Sequence, residues 1–238
     1  MNTEMDRQTP STSAATTVTQ TLAGRTIVIT RALAQSFEFA AELESRGARV
    51  IACPTIEIVA PESYAALDEA IEHLYGYDWL IFTSVNGVDY FVRRFAQLGR
   101  DVSELDELKV CAIGEATADR LRDVSVHVDL VPEQFKAEGV FAALESYLGG
   151  HENLRGLNFL IPRAAVARDY LPRALEEAGA RAAVVAAYRT VRPQMSAANW
   201  KRCLRAAALI ASPSPVLRRS STSLSFLTPP TSANCSPE

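Results

Sequence analysis

Short apolar runs alternate along this chain with longer stretches of helical period. Arg25–Arg31 (RTIVITR) is a β-branched run of the kind buried on both faces of a parallel sheet. After it, Ser36 stands where an N-cap belongs, and Phe39 and Leu43 fall one helical turn apart with Ala40 on the same stripe. Gly47 offers a left-handed stop, and ARVIACP (Ala48–Pro54) begins a second strand. Strand, helix, strand predicts a parallel pair with a right-handed crossover.

The same phrase returns. Ile29–Val50 (ITRALAQSFEFAAELESRGARV) aligns without a gap to Ile161–Ala182 (IPRAAVARDYLPRALEEAGARA) at a constant offset of 132. Ile29 matches Ile161, Arg31 matches Arg163, Leu43 matches Leu175, Gly47 matches Gly179 and Arg49 matches Arg181. A generic amphipathic helix explains the Leu and Gly; the strand-end Arg and the GAR turn require a duplication. Between the copies, DWLIFTSVNGVDYF (Asp78–Phe91) and LKVCAIGEATADRLR (Leu108–Arg122) each read as strand, turn, helix. VDLVPEQFKAEGVFAAL (Val128–Leu144) reads as a short strand, a loop and a helix. The class is α/β.

Both ends depart from this pattern. Residues 1–24, rich in Ser, Thr and Gln at the start, predict a disordered leader too polar for a signal peptide, and no run elsewhere is long enough to span a membrane. From about Ala211 the chain turns to Ser and Pro without a period. If the duplication holds, the counterpart of IFTSVNGVDYF should begin near residue 213, yet it is not there. A shifted frame from Ser212 onward permits the string LTFTSSSTVKHF, whose Phe falls 132 codons after Phe82. The expectation is a frame change shortly before Ser212 that removes the native C-terminal part; a natural disordered tail is the alternative.

Composition narrows the chemistry. With 24 basic and 28 acidic side chains the formal charge is −4, against a generic nucleic-acid binder. Four scattered cysteines without a CxxC pair predict neither a zinc site nor a disulfide framework, and a reducing cytoplasm fits. No GxGxxG or GxxxxGK[ST] is present, and His73, His127 and His151 stand apart as surface or boundary histidines. What recurs at strand ends is hydroxylic, small or basic: Arg31, Thr83–Ser84, Gly114 to Thr117, and Arg163. Ligands of open parallel sheets bind outside the carboxyl ends of the strands, where helix N-termini favour anions. This predicts a polyanion held by amides, hydroxyls and a few arginines, with no metal. Blander roles stay open. Thr83 and Ser84 could cap the next helix, Thr117 could stabilise its own first turn, Arg31 and Arg163 could be solvated charges, and Tyr188 could be a boundary aromatic with a wet hydroxyl.

IFTSVNGVDYF, CAIGEATADRL, VPEQFKAEGV, FLIPRAAVARDYLPRALEEAGA and AAYRTV, in that order, resemble the uroporphyrinogen-III synthase family. The resemblance implies two α/β domains with parallel sheets flanked by helices, joined by a two-stranded connector, with the substrate in the cleft between them. One domain would be residues 58–187; the other would combine 25–57 with 188–238 and lack its C-terminal part. The implied activity is that of a cofactor-free cytoplasmic lyase of haem biosynthesis, closing linear hydroxymethylbilane into uroporphyrinogen III with inversion of the last pyrrole ring. Tyr188 would assist departure of the hydroxyl. Thr83, Ser84, Asn86, Gly114 and Thr117 would hold substrate carboxylates, with Lys136, Arg163 and Arg31 as further contacts. The protein would be a monomer, touching the preceding pathway enzyme at most transiently, and the altered C-terminus would impair it. A non-catalytic polyanion-binding module on the same duplicated frame is the rival reading.

Overall fold

A computed structural model describes residues 21–211, so the expected leader, for the most part, and the tail in which a frame change is expected lie outside the described residues. The duplication is visible first in strand register. Strand β1 (Thr26–Ile29), helix α1 (Phe37–Ser45) and strand β2 (Arg49–Ala52) form a parallel unit in which Thr26 faces Arg49. Further along, β6 (Asn158–Ala164), α6 (Tyr170–Glu177) and β7 (Arg181–Val191) form another, in which Asn158 faces Arg181. Both facing positions move by the offset of 132 found in the sequence. Gly47 and Gly179 end the two helices at φ of 88° and 83°, backbone that a side chain would strain.

The copies differ where the chain leaves the second strand. After β2 it breaks at Cys53–Ile56 and resumes as β3 (Glu57–Val59), whereas β7 runs on without interruption. The end of β7 pairs antiparallel with β3, Ile58 facing Thr190. Two passages of chain thus link a two-stranded sheet, β1-β2, to a five-stranded one ordered β3-β7-β6-β4-β5. Strands β4 (Trp79–Phe82) and β5 (Lys109–Ala112) complete the larger sheet, each followed by its helix, α3 (Val85–Gln97) or α4 (Glu115–Asp123). Helices α2 (Ala65–Glu72) and α5 (Ala137–Leu148) cover it further, and α7 (Ala197–Ala211) packs on β1 and β2.

The larger sheet has a core on both faces. Every residue of β4 is buried, with Leu80 and Phe82 in the layer of Phe91 and Phe95, and Trp79 and Ile81 in the layer of Leu144 and Leu175. That alternation is what a β-rich run between two helical layers produces.

The smaller sheet corrects several expectations. Among the described residues β1 pairs with β2 alone, so only Ile29 of its four residues is buried rather than the whole run. Helix α1 buries none of its residues, and Phe39 stays 47% exposed. Ser36 occupies the N-cap position, but its hydroxyl donates to the Ala32 carbonyl at 2.9 Å and caps nothing. The expected strand near Val128 shrinks to a single bridge between Leu130 and Cys111. Contrary to the cysteine reading, Cys53 and Cys203 are paired as a disulfide, their Cα atoms 5.6 Å apart. Residues 150 positions apart gave no local spacing by which to see it.

Candidate functional site

Between the two sheets opens a cleft of about 780 Å³, within the range of small-molecule sites. One wall comes from the turn after β1 and from the linker to β3, and it is apolar: Leu33, Phe37 and Ile56 are 52%, 69% and 40% exposed. The facing wall is one side of α3, where Asn86, Tyr90 and Arg93 recur at helical spacing and Asp89 lies beside them. Asn199 and Arg202 of α7 close a third side.

Side chains on α3 are held in place. The Gln35 amide donates to Asn86 Oδ1 at 2.6 Å, joining the walls. Tyr90 donates its hydroxyl to the Ile58 carbonyl at 3.0 Å, and burial pushes its pKa above the ordinary phenol value. Asp89 accepts from Arg120 Nε at 2.6 Å, so its charge is answered from outside the cleft.

Behind Tyr90 lies Tyr188, its ring centroid 5.9 Å away and its side chain nearly buried. Its hydroxyl is 3.0 Å from Ser84 Oγ. Ser84 caps α3, accepting from the Gly87 N–H at 3.0 Å, because β4 ends at Phe82 and the chain must supply an acceptor for the first turn. Capping and contact with Tyr188 coexist in one hydroxyl; the Tyr188 hydroxyl is bonded rather than wet.

Of the residues singled out from sequence, Asn86 lines the cleft, Ser84 and Tyr188 form a pair behind it, and Thr83 adjoins them, half-buried. The others lie elsewhere along the strand ends. Gly114 starts α4 beneath the Phe135 ring, where a Cβ would come within 3.0 Å, and Thr117 is buried in that helix's first turn. Lys136 is exposed at the start of α5. Arg163 is turned to its own loop, donating to the Arg168 carbonyl at 2.5 Å and to Asp169, whose pKa it lowers. Arg31 is exposed past β1. All three histidines are exposed. The free thiol of Cys111 is pushed up to about 12 by burial, which leaves it inert as a nucleophile. Among the described residues no cluster of His, Cys, Asp or Glu has metal-ligand geometry.

Sequence reasoning missed Gln35, Tyr90, Arg93, Asn199 and Arg202. The i, i+4, i+7 spacing of Asn86, Tyr90 and Arg93 was a usable signal; α7 carried none, since its residues gain meaning only from the crossing of the chain.

A duplicated α/β frame with an amphipathic cleft between its sheets, served by hydroxyls, amides and arginines, defines a class of small-molecule-binding proteins. Comparison narrows the class. The family model described as uroporphyrinogen-III synthase HemD matches residues 38–219. The uroporphyrinogen-III synthase of Synechococcus elongatus is 35% identical over 170 residues, 71% of this chain and 62% of its own length. That of Chlorobaculum parvum is 25% identical over 172 residues, 72% of this chain and 66% of its own. This chain therefore spans just under two thirds of each relative. A mutant uroporphyrinogen III synthase from the extremely thermophilic bacterium Thermus thermophilus shares the fold, with a TM-score of 0.54 at 19% identity, covering 71% of this chain and 64% of that one. The chain belongs to the uroporphyrinogen-III synthase family.

Proposed function

We propose that this protein closes hydroxymethylbilane into uroporphyrinogen III in the cleft between its sheets, as a cytoplasmic enzyme of tetrapyrrole synthesis. The observation that carries the proposal is the pairing of surfaces: exposed Leu33, Phe37 and Ile56 suit pyrrole rings, and the polar face of α3 suits their carboxylate side chains. The domain division accompanies it, with residues 58–187 as one lobe and 25–57 plus 188–238 as the other.

The chemistry needs an acid more than a nucleophile. With Ser84 Oγ occupied by the Gly87 N–H, its own proton can go to the Tyr188 oxygen, which leaves the phenol proton for the substrate. That proton passes to the departing hydroxyl, which leaves as water, and the pyrrole nitrogen stabilises the resulting cation. Loss of a ring proton after closure restores the phenol. The walls hold the bilane folded and keep water from the cation, so that closure with inversion outruns the spontaneous route. Thr83, Asn86 and, through its main-chain N–H, Ser84 would contact carboxylates near this point; Gly114, Thr117, Lys136, Arg163 and Arg31 would do so only for a substrate extending along the strand ends.

The decisive assay incubates the chain with hydroxymethylbilane and resolves the product isomers. Type III product above the spontaneous type I background supports the enzyme; type I alone, both here and with the frame restored after residue 211, marks a binding module. Tyr188→Phe is expected to lower kcat by about 100-fold, the low end for general-acid catalysis, with KM within about threefold. The same assay on a chain with the frame restored after residue 211 measures the impairment expected here.

A further inference from the structure

Seven of the described arginines are tied to carboxylates: Arg46, Arg94, Arg100, Arg120, Arg122, Arg163 and Arg189. The two that line the cleft, Arg93 and Arg202, have no such partner among the described residues. The contrast is sharpest on α3. Arg94 forks onto Asp68 at 2.6 and 2.7 Å, while Arg93 beside it lies over the Tyr90 ring at 5.1 Å. Tyr90 is itself anchored through its hydroxyl to the Ile58 carbonyl at 3.0 Å, so the guanidinium rests on a fixed platform. On a third side, Arg202 comes from α7, next to Cys203, which is bonded to Cys53, and α7 itself packs on β1 and β2. Two arginines from different elements thus line one cleft, and Arg93 is held there by its aromatic platform. Of the acids there, Asp89 is answered by Arg120, and Glu57 alone opposes them.

We infer that Arg93 and Arg202 are specificity-determining residues that anchor two separate carboxylates of one polycarboxylate ligand, from different sides of the cleft. The inference rests on the functional reading above and deepens it. A planar fork matches a carboxylate with two parallel hydrogen bonds, and stacking on Tyr90 reduces the freedom Arg93 loses when it binds. Because each guanidinium meets a different carboxylate, their effects are independent and multiply. Ring chemistry proceeds elsewhere, at Tyr188, so the loss falls on binding.

The test measures KM and kcat for hydroxymethylbilane, and in parallel the Kd of uroporphyrin III, a stable octacarboxylate, by fluorescence. It uses the full chain and its Arg93→Gln, Arg202→Gln and doubly substituted forms. Each single change is expected to raise KM and Kd about tenfold and the double change about 100-fold, with kcat within about twofold. Added salt should weaken binding less steeply in the double variant. Arg93→Lys, which keeps the charge but not the fork, should fall between the parent and Arg93→Gln. Unchanged KM and Kd in both single variants of an active parent overturn the inference and leave the functional reading intact, as does a fall in kcat alone. A parent that binds uroporphyrin but makes no type III product, even with the frame restored after residue 211, overturns the catalytic reading, and the Kd values still judge the arginines. A parent that does neither, with the frame restored, overturns both.

Discussion

The fork between Arg94 and Asp68 shows what a single residue can contribute here. Both side chains are partly shielded, at 24% and 31% exposure, and the hydrogen bonds from Arg94 hold the Asp68 carboxyl below its usual pKa. A lowered carboxylate pKa stabilises the fold above the unfolded value near ~4, and that contribution fades as pH falls through the lower folded value. Asp68→Asn is expected to cost about 1 kcal/mol at pH 7, as a bidentate but solvent-screened pair warrants. The difference from the parent should close below about pH 3, which thermal melts across pH would register. At this scale the sequence was partly legible. Ser84 and Tyr188 could be named from motif and strand position, since the end of β4 dictates where a capping hydroxyl must sit. That Ser84 Oγ would meet the Tyr188 hydroxyl, 104 positions away, depended on β7 lying across the sheet.

Elements differ in how far burial supports them. Phe82 is fully buried in β4 against Phe91, with centroids 5.4 Å apart, while Phe39 of α1 is 47% exposed. Phe82→Ala is expected to cost about 3–5 kcal/mol in urea denaturation, and Phe39→Ala no more than about 0.5 kcal/mol. Equal costs would mean that α1 packs in solution against something beyond the described residues. The helical stripe in Phe39 and Leu43 was a correct reading of period and a poor guide to burial. Periodicity reports which face of a helix is apolar; it takes a neighbouring layer to cover that face. For β4, α3, β5 and α4 the layer exists, and the pattern and the structure coincide.

For the whole molecule, the constant offset of 132 carried most of the architecture, because two strand–helix–strand units with the same phrase must form two similar parallel pairs. The place of the cleft was less visible. It is set by the break at Cys53–Ile56, which lets β3 join the larger sheet, and by the return of the chain through β7 to α7. Neither event has a local pattern, so Arg93 and Arg202 could not be paired in advance. The Cys53–Cys203 bond escaped for the same reason, and it changes the connectivity of the polymer. Residues 54–202 become a closed ring, with the entire five-stranded sheet inside it. A single protease cut at the exposed loop around Val166, 93% accessible, should open that ring without releasing either half. Electrophoresis of the nicked, denatured protein should show one band without reductant and two with it. Two bands in both lanes would mean that the cysteines are free thiols, as a reducing cytoplasm would leave them.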